Sequence, residues 1–239
     1  MKKFLALIVI LLVIIAAACQ FVVPRTVESI VTEQIVKATS ATAVDVSLNS
    51  TPNFRIAMGE IDKVHATAAA SKIGDIAFKN LTLDGEKIRL DVMELLFPNK
   101  ELSAQERNKR ILKHANKIEL HGIITAEEIE NLIISKGEKK FENPKVAITP
   151  EVATATAKLK FLGRTVNLEV AGNFLVDNGD IYFHVTKLNS NSILSRVNID
   201  SFVTDVKVLE SANLPFNLKF ESVELREGEA VVTAISTVQ

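Results

Sequence analysis

Phe174-Leu175-Val176-Asp177-Asn178-Gly179-Asp180-Ile181-Tyr182-Phe183-His184-Val185 is the stretch that decides the fold. Phe174 and Val176 share one parity, and Ile181, Phe183 and Val185 share one on the other side of Asp177-Asn178-Gly179-Asp180. Period-two alternation turns one face of each strand toward an apolar interior. Asn-Gly accepts the positive φ angles of a type I′ turn, so the two runs read as an antiparallel hairpin. Upstream, Leu159 and Phe161, then Val166, Leu168 and Val170, continue the alternation. Downstream of Pro215, Phe216, Leu218 and Phe220 alternate with Asn217 and Lys219, and Glu227-Gly228 turns the chain into a last strand.

The first half carries the same signals with two helices added. From Pro24, Val27, Ile30, Val31, Ile35 and Ala38 recur at three- and four-residue spacing, with Glu28, Glu33 and Lys37 off the stripe. This predicts an amphipathic helix. Val44, Val46 and Leu48 then alternate with Asp45 and Ser47, and Thr51-Pro52-Asn53 makes a turn. Further strands are expected at Phe54 to Met58, Ile61 to Ala70, Asp75 to Leu83, Lys87 to Val92 and Lys117 to Ile124, with Asp84-Gly85 as a turn. Ser103 to Lys113 is polar and reads as an exposed helix or a connection. Thr125-Ala126-Glu127-Glu128 matches a capping box opening a helix that carries Ile129, Leu132 and Ile133 and stops near Gly137. The Lys136 to Lys140 stretch reads as a solvated loop. The expected class is α+β, with a mainly antiparallel sheet.

Ahead of this body, Met1, Lys2 and Lys3 precede an apolar run from Phe4 to Val23. As a helix the run would be about 30 Å long, roughly the thickness of the hydrocarbon core of a bilayer. Three readings stay open for residues 1–23: an uncleaved membrane anchor, a cleaved signal peptide, or a lipoprotein signal in which Cys19, after Ala16-Ala17-Ala18, is lipidated. Lys2 and Lys3 place the bulk of the chain on the extracytoplasmic side. Residues 24–239 are expected to form a single domain, with two sub-lobes meeting near 100–125 as the other division. No cysteine lies beyond Cys19, so no intramolecular disulfide holds that domain and burial must do so.

Several function classes find no support. A net charge of -1 offers nothing for nucleic acid. The chain has no Gly-x-Ser-x-Gly elbow, and its one cysteine sits in the apolar run. His65, His114, His121 and His184 are scattered without zinc-type spacing, and His65 and His184 read as polar-face strand residues. Glu127 and Glu128 fit a helix start. No glycine loop of nucleotide-binding type occurs, so no catalytic residue, metal or cofactor is assigned.

Val27-Glu28-Ser29-Ile30-Val31-Thr32-Glu33-Gln34-Ile35, then Val44-Asp45-Val46-Ser47-Leu48-Asn49-Ser50-Thr51-Pro52, then Met58-Gly59-Glu60-Ile61-Asp62-Lys63-Val64, resembles the LmeA-like phospholipid-binding family of bacterial envelope proteins. Strands of the Ile76 to Leu83 and Ile88 to Leu90 kind and the Ile124-Thr125-Ala126-Glu127 segment fit the same pattern, so the resemblance spans Val27 to Phe183. It implies a non-enzymatic lipid-binding protein of the cell envelope, anchored to the inner membrane, whose helix is cradled by a curved antiparallel sheet as in tubular lipid-binding folds. The partners implied are phospholipid and membrane. Acyl chains would then be buried against Val27, Ile30, Val31, Ile35, Phe161, Phe174 and Phe183. The 12 phenylalanines, with one tyrosine and no tryptophan, suit an interior without polar handles, whether cavity or filled core. The alternatives are a membrane-tethered interaction module with a filled core and, third, an envelope hydrolase.

Overall fold

The computed structural model describes residues 25–238 except 34, 38, 98–100, 103–105, 107–109, 137–140, 162–163, 191–204 and 215–217. Residues 1–24, with the apolar run and Cys19, lie outside the described residues. Among the described residues no helix is long and apolar enough to cross a membrane.

The chain divides into two compact units. The first comprises residues 1–68, 82–119 and 236–239, the second residues 69–81 and 120–235. In the first, residues 25–33 and 35–37 form helix α1. Val27, Ile30, Val31 and Ile35 are half-buried while Glu33 and Lys37 are exposed, as the spacing predicts. Lys37 reaches back one turn to Glu33 at 2.6 Å. β1 (Ala43–Asn49) follows, with Val46 and Leu48 buried.

Phe54 to Met58 departs from the strand expectation. Asn53–Met58 is a 3-10 helix, η1, closed by Gly59 in the left-handed conformation at φ 79°. Of its alternating apolar residues only Ile56 is buried, so no sheet face selects an extended form there. β2 (Glu60–Ile73) and β3 (Ile76–Leu90) come next. β3 runs straight through Asp84-Gly85, which corrects the expected turn. Gly85 is buried, and a Cβ there would stand 2.6 Å from Ile88 Cδ1 and 2.7 Å from Val64 Cγ1. This glycine serves close side-chain packing, not chain reversal. After α2 (Val92–Leu96), β4 (Leu112–Thr125) begins earlier than its alternation suggests.

α3 (Ala126–Lys136) then opens on the capping box. Thr125 N donates to Glu128 Oε2 at 2.6 Å and Glu128 N donates to Thr125 Oγ1 at 3.3 Å, so the two residues cap each other. Thr125→Ala should cost about 1 kcal/mol. A chemical denaturation series on the two proteins checks it.

The remaining strands are β5 (Phe141–Ile148), β6 (Ala153–Phe161), β7 (Arg164–Asp177), β8 (Asp180–Ser190), β9 (Val206–Leu209), β10 (Lys219–Arg226) and β11 (Glu229–Val238). One sheet has the order β1-β2-β3-β4-β11-β10 and the other β5-β6-β7-β8-β9, whose pairs are all antiparallel. The predicted β7–β8 hairpin is present. Asp177 faces Asp180, with Asn178 at φ 51° and Gly179 at φ 87°, as a type I′ turn needs. The hairpin tip is held by Phe220 N, which donates to Gly179 O at 3.0 Å.

Candidate functional site

The second unit carries a cavity of about 940 Å³ that opens to the outside. That is near the top of the range of roughly 300–1,000 Å³ usual for small-molecule sites. One wall is the five-stranded sheet, through Val146 of β5, Ala153 and Ala155 of β6, Leu168, Val170 and Phe174 of β7, and Ile181, Phe183 and Val185 of β8. β9 contributes Val206 to Leu209. α3 supplies Ile129, Leu132 and Ile133, whose spacing places them on one helix face. Ile76, Ile124, Val223, Ala230 and Val232 complete the apolar lining. Among the described residues the lining includes four polar ones, Glu128, Thr154, Asn189 and Lys207, and the Lys207 ammonium is turned to the other face of the sheet beside Asp180 and Tyr182, so the cavity is a site for hydrocarbon.

Strand pleating accounts for the lining residues of β7 and for those of β8 up to Val185, and one irregularity accounts for Leu188. Phe174 faces Phe183 across the β7–β8 ladder, and their rings meet edge to face, with centroids 5.2 Å apart. Between Ala171 and Gly172 the register shifts, because Ala171 pairs with Lys187 but Gly172 with Val185. The extra residue, Thr186, changes the parity of β8, so Leu188 reaches the same cavity as Val185. Leu175, one residue from Phe174, is exposed.

Two carboxylates fasten the cavity's smaller walls. Glu130 on α3 accepts from Val146 N at 2.9 Å and from Lys145 Nζ at 3.2 Å, tying the helix to edge strand β5. Asp180 Oδ1 accepts from Ser211 N and Ser211 Oγ, both at 2.8 Å, and Oδ2 pairs with Lys207 at 3.0 Å, tying β9 and the turn after it to β8. Lys207 also lies 5.7 Å from the centre of the Tyr182 ring. The Val146 N–H holds the Glu130 carboxyl below its usual range, with Lys145 adding to the effect. The Ser211 N–H does the same for Asp180, helped by Lys207. Both groups therefore bind protons more weakly in the folded chain than in the unfolded one. Their stabilisation is complete above about pH 4.5 and is lost as pH falls through the folded values. Protection of the β9 amides, taken against the unfolded-chain exchange rate at each pH, should fall on acidification below that point, and Asp180→Asn should remove much of that pH dependence while lowering protection at neutral pH.

Of the expected acyl-chain contacts, Phe174 and Phe183 line the cavity. Val27, Ile30, Val31 and Ile35 sit on α1 in the first unit and are not in the lining. The helix in the lining is α3. Phe161 ends β6, and its side chain lies outside the described residues. His65 and His184 lie on exposed strand faces beside Asp84 at 2.7 Å and Asp205 at 2.6 Å. Among the described residues no cluster of side chains is arranged to hold a metal ion.

A family model described as LmeA-like phospholipid-binding matches residues 19–235. The match takes in α3, every strand of the five-stranded sheet, β10 and most of β11. No curated protein and no solved structure matches the chain. On a match of that length, the chain belongs to the LmeA-like phospholipid-binding family.

Proposed function

We propose that this protein holds phospholipid by its acyl chains in the cavity of the second unit, and carries the lipid at the extracytoplasmic face of a bacterial inner membrane without chemical turnover. The observation that carries the reading is the cavity lining, which among the described residues is apolar except for Glu128, Thr154, Asn189 and Lys207. Each buried methylene contributes about 0.8 kcal/mol, so a dozen of them supply about 10 kcal/mol. Association costs about 4–15 kcal/mol, so one chain roughly breaks even and a second makes binding firm. The basic start and long apolar run of residues 1–23 support tethering at the membrane, whether by the run itself or through a lipidated Cys19.

Native mass spectrometry with lipid extraction, on full-length protein purified from bacterial membranes, tests the reading. One phospholipid per chain is the expected result. A folded chain that retains no phospholipid and takes none from added phosphatidylglycerol vesicles would leave a tethered interaction module as the better account.

A further inference from the structure

We infer that the first unit carries a membrane-contact surface of its own, formed by η1 and α2, which inserts apolar side chains into the bilayer that holds residues 4–23. Eight large apolar side chains are exposed among the described residues, and four of them, Phe54, Met58, Met93 and Phe97, lie on or beside these two short helices. They are 47%, 60%, 66% and 72% exposed. Single exposed apolar residues are ordinary, whereas a cluster of large ones marks a surface made to meet something.

The backbone brings the two helices together. Leu90 N, just before α2, donates to Gly59 O, just after η1, at 2.7 Å. Asp91 caps α2 by accepting from Glu94 N at 3.1 Å, and Phe97 N returns to Met93 O at 2.9 Å, so the turn bearing Met93 and Phe97 is closed at both ends. The same end of the unit receives the chain from its apolar run. Leu48 N, near the end of β1, donates to Glu28 Oε1 in the first turn of α1 at 2.9 Å. Thus the start of α1 lies beside the strand that leads into η1. The apolar run stops at Val23, and Pro24 is the one residue between it and Arg25, where α1 begins.

That placement selects a bilayer as the occupant. A run of about 30 Å held in hydrocarbon would keep this end of the unit at the headgroup layer. Methionine and phenylalanine suit such a boundary, because flexible thioethers and rings without polar groups conform to disordered chains and ask for no hydrogen-bond partner. Two cations of this surface are held by neighbouring carboxylates: Arg55 pairs with Glu60 at 2.9 Å, and Lys113 with Asp91 at 3.4 Å. The contact inferred here is apolar insertion, which salt does not screen. The inference requires the run to lie in a bilayer and is independent of what fills the cavity of the second unit.

The test uses the full chain with Cys19→Ser and single cysteines M58C, F97C or, as a reference on exposed β1, D45C, each carrying an environment-sensitive fluorophore. The protein is mixed with vesicles of phosphatidylethanolamine and phosphatidylglycerol and recovered by flotation. Blue-shifted emission and an intensity rise of at least twofold at 58 and 97, unchanged in high salt and absent at 45, is the expected result. Probes at 58 and 97 that keep the spectrum of a water-exposed dye while the chain floats would overturn the inference. So would a chain that stays out of the vesicle fraction.

Discussion

Phe174→Glu is expected to empty the cavity while leaving the protein folded. The Phe174 side chain forms part of the cavity wall and is half-buried, so a carboxylate there can reach water when the cavity is unfilled. With acyl chains against it, the same carboxylate would lose its water and find no partner, which costs several kcal/mol. At 1.4 kcal/mol per factor of ten, lipid affinity should fall by about 100-fold or more. The stability loss should be smaller, about 1 kcal/mol for the edge-to-face pair with Phe183 plus the ring's partial burial. Leu175→Glu is the matched control, since Leu175 is the neighbouring residue and is exposed. It should bind lipid like the parent protein. Lipid extraction and circular dichroism on the three proteins separate loss of the ligand from loss of the fold.

Phe78→Ala should do the reverse, weakening the protein without altering what the cavity holds. Phe78 is 1% exposed and is not in the cavity lining. Its ring lies over Gly122, where a Cβ would stand 2.7 Å from Cε1 and 2.8 Å from Cδ1. The absence of a side chain at 122 is what lets the ring sit against β4. Removing a ring packed in this way costs about 3–5 kcal/mol, because the lost burial is joined by a cavity that rigid strands cannot close. The melting temperature should drop by about 6–20 °C. Below the transition, lipid per folded chain should equal that of the parent. A small shift would mean that the neighbouring side chains close the gap.

Much of this was legible in the residues because it is local. The Asn178-Gly179 turn, the Thr125–Glu128 cap and the stripe on α1 depend on contacts within a few positions, and each is present as read. The cavity was legible in part. Phe174 and Phe183 follow from period-two alternation, whereas Leu188 follows only from the extra residue opposite Ala171 and Gly172, which a parity count cannot reveal. β9 offers four residues, too few for a pattern, and owes its place to the ladder with β8. α1 and α3 both carry apolar stripes. Periodicity says that each stripe is covered but not by what, and the choice of α3 for the cavity rests on contacts distant in sequence. Gly85 shows the same limit, since Asp-Gly commonly marks a turn and here it packs Val64 against Ile88.

The measurement that bears most directly on the central claim is photocrosslinking of full-length protein with a phospholipid carrying a diazirine near the end of one acyl chain, followed by peptide mapping. The account predicts adducts within the cavity lining, on α3 at Ile129 to Ile133, on β8 at Ile181 to Leu188 and on β9 at Val206 to Leu209. Adducts confined to α1, or spread over the exposed surface with none in these three segments, would contradict it.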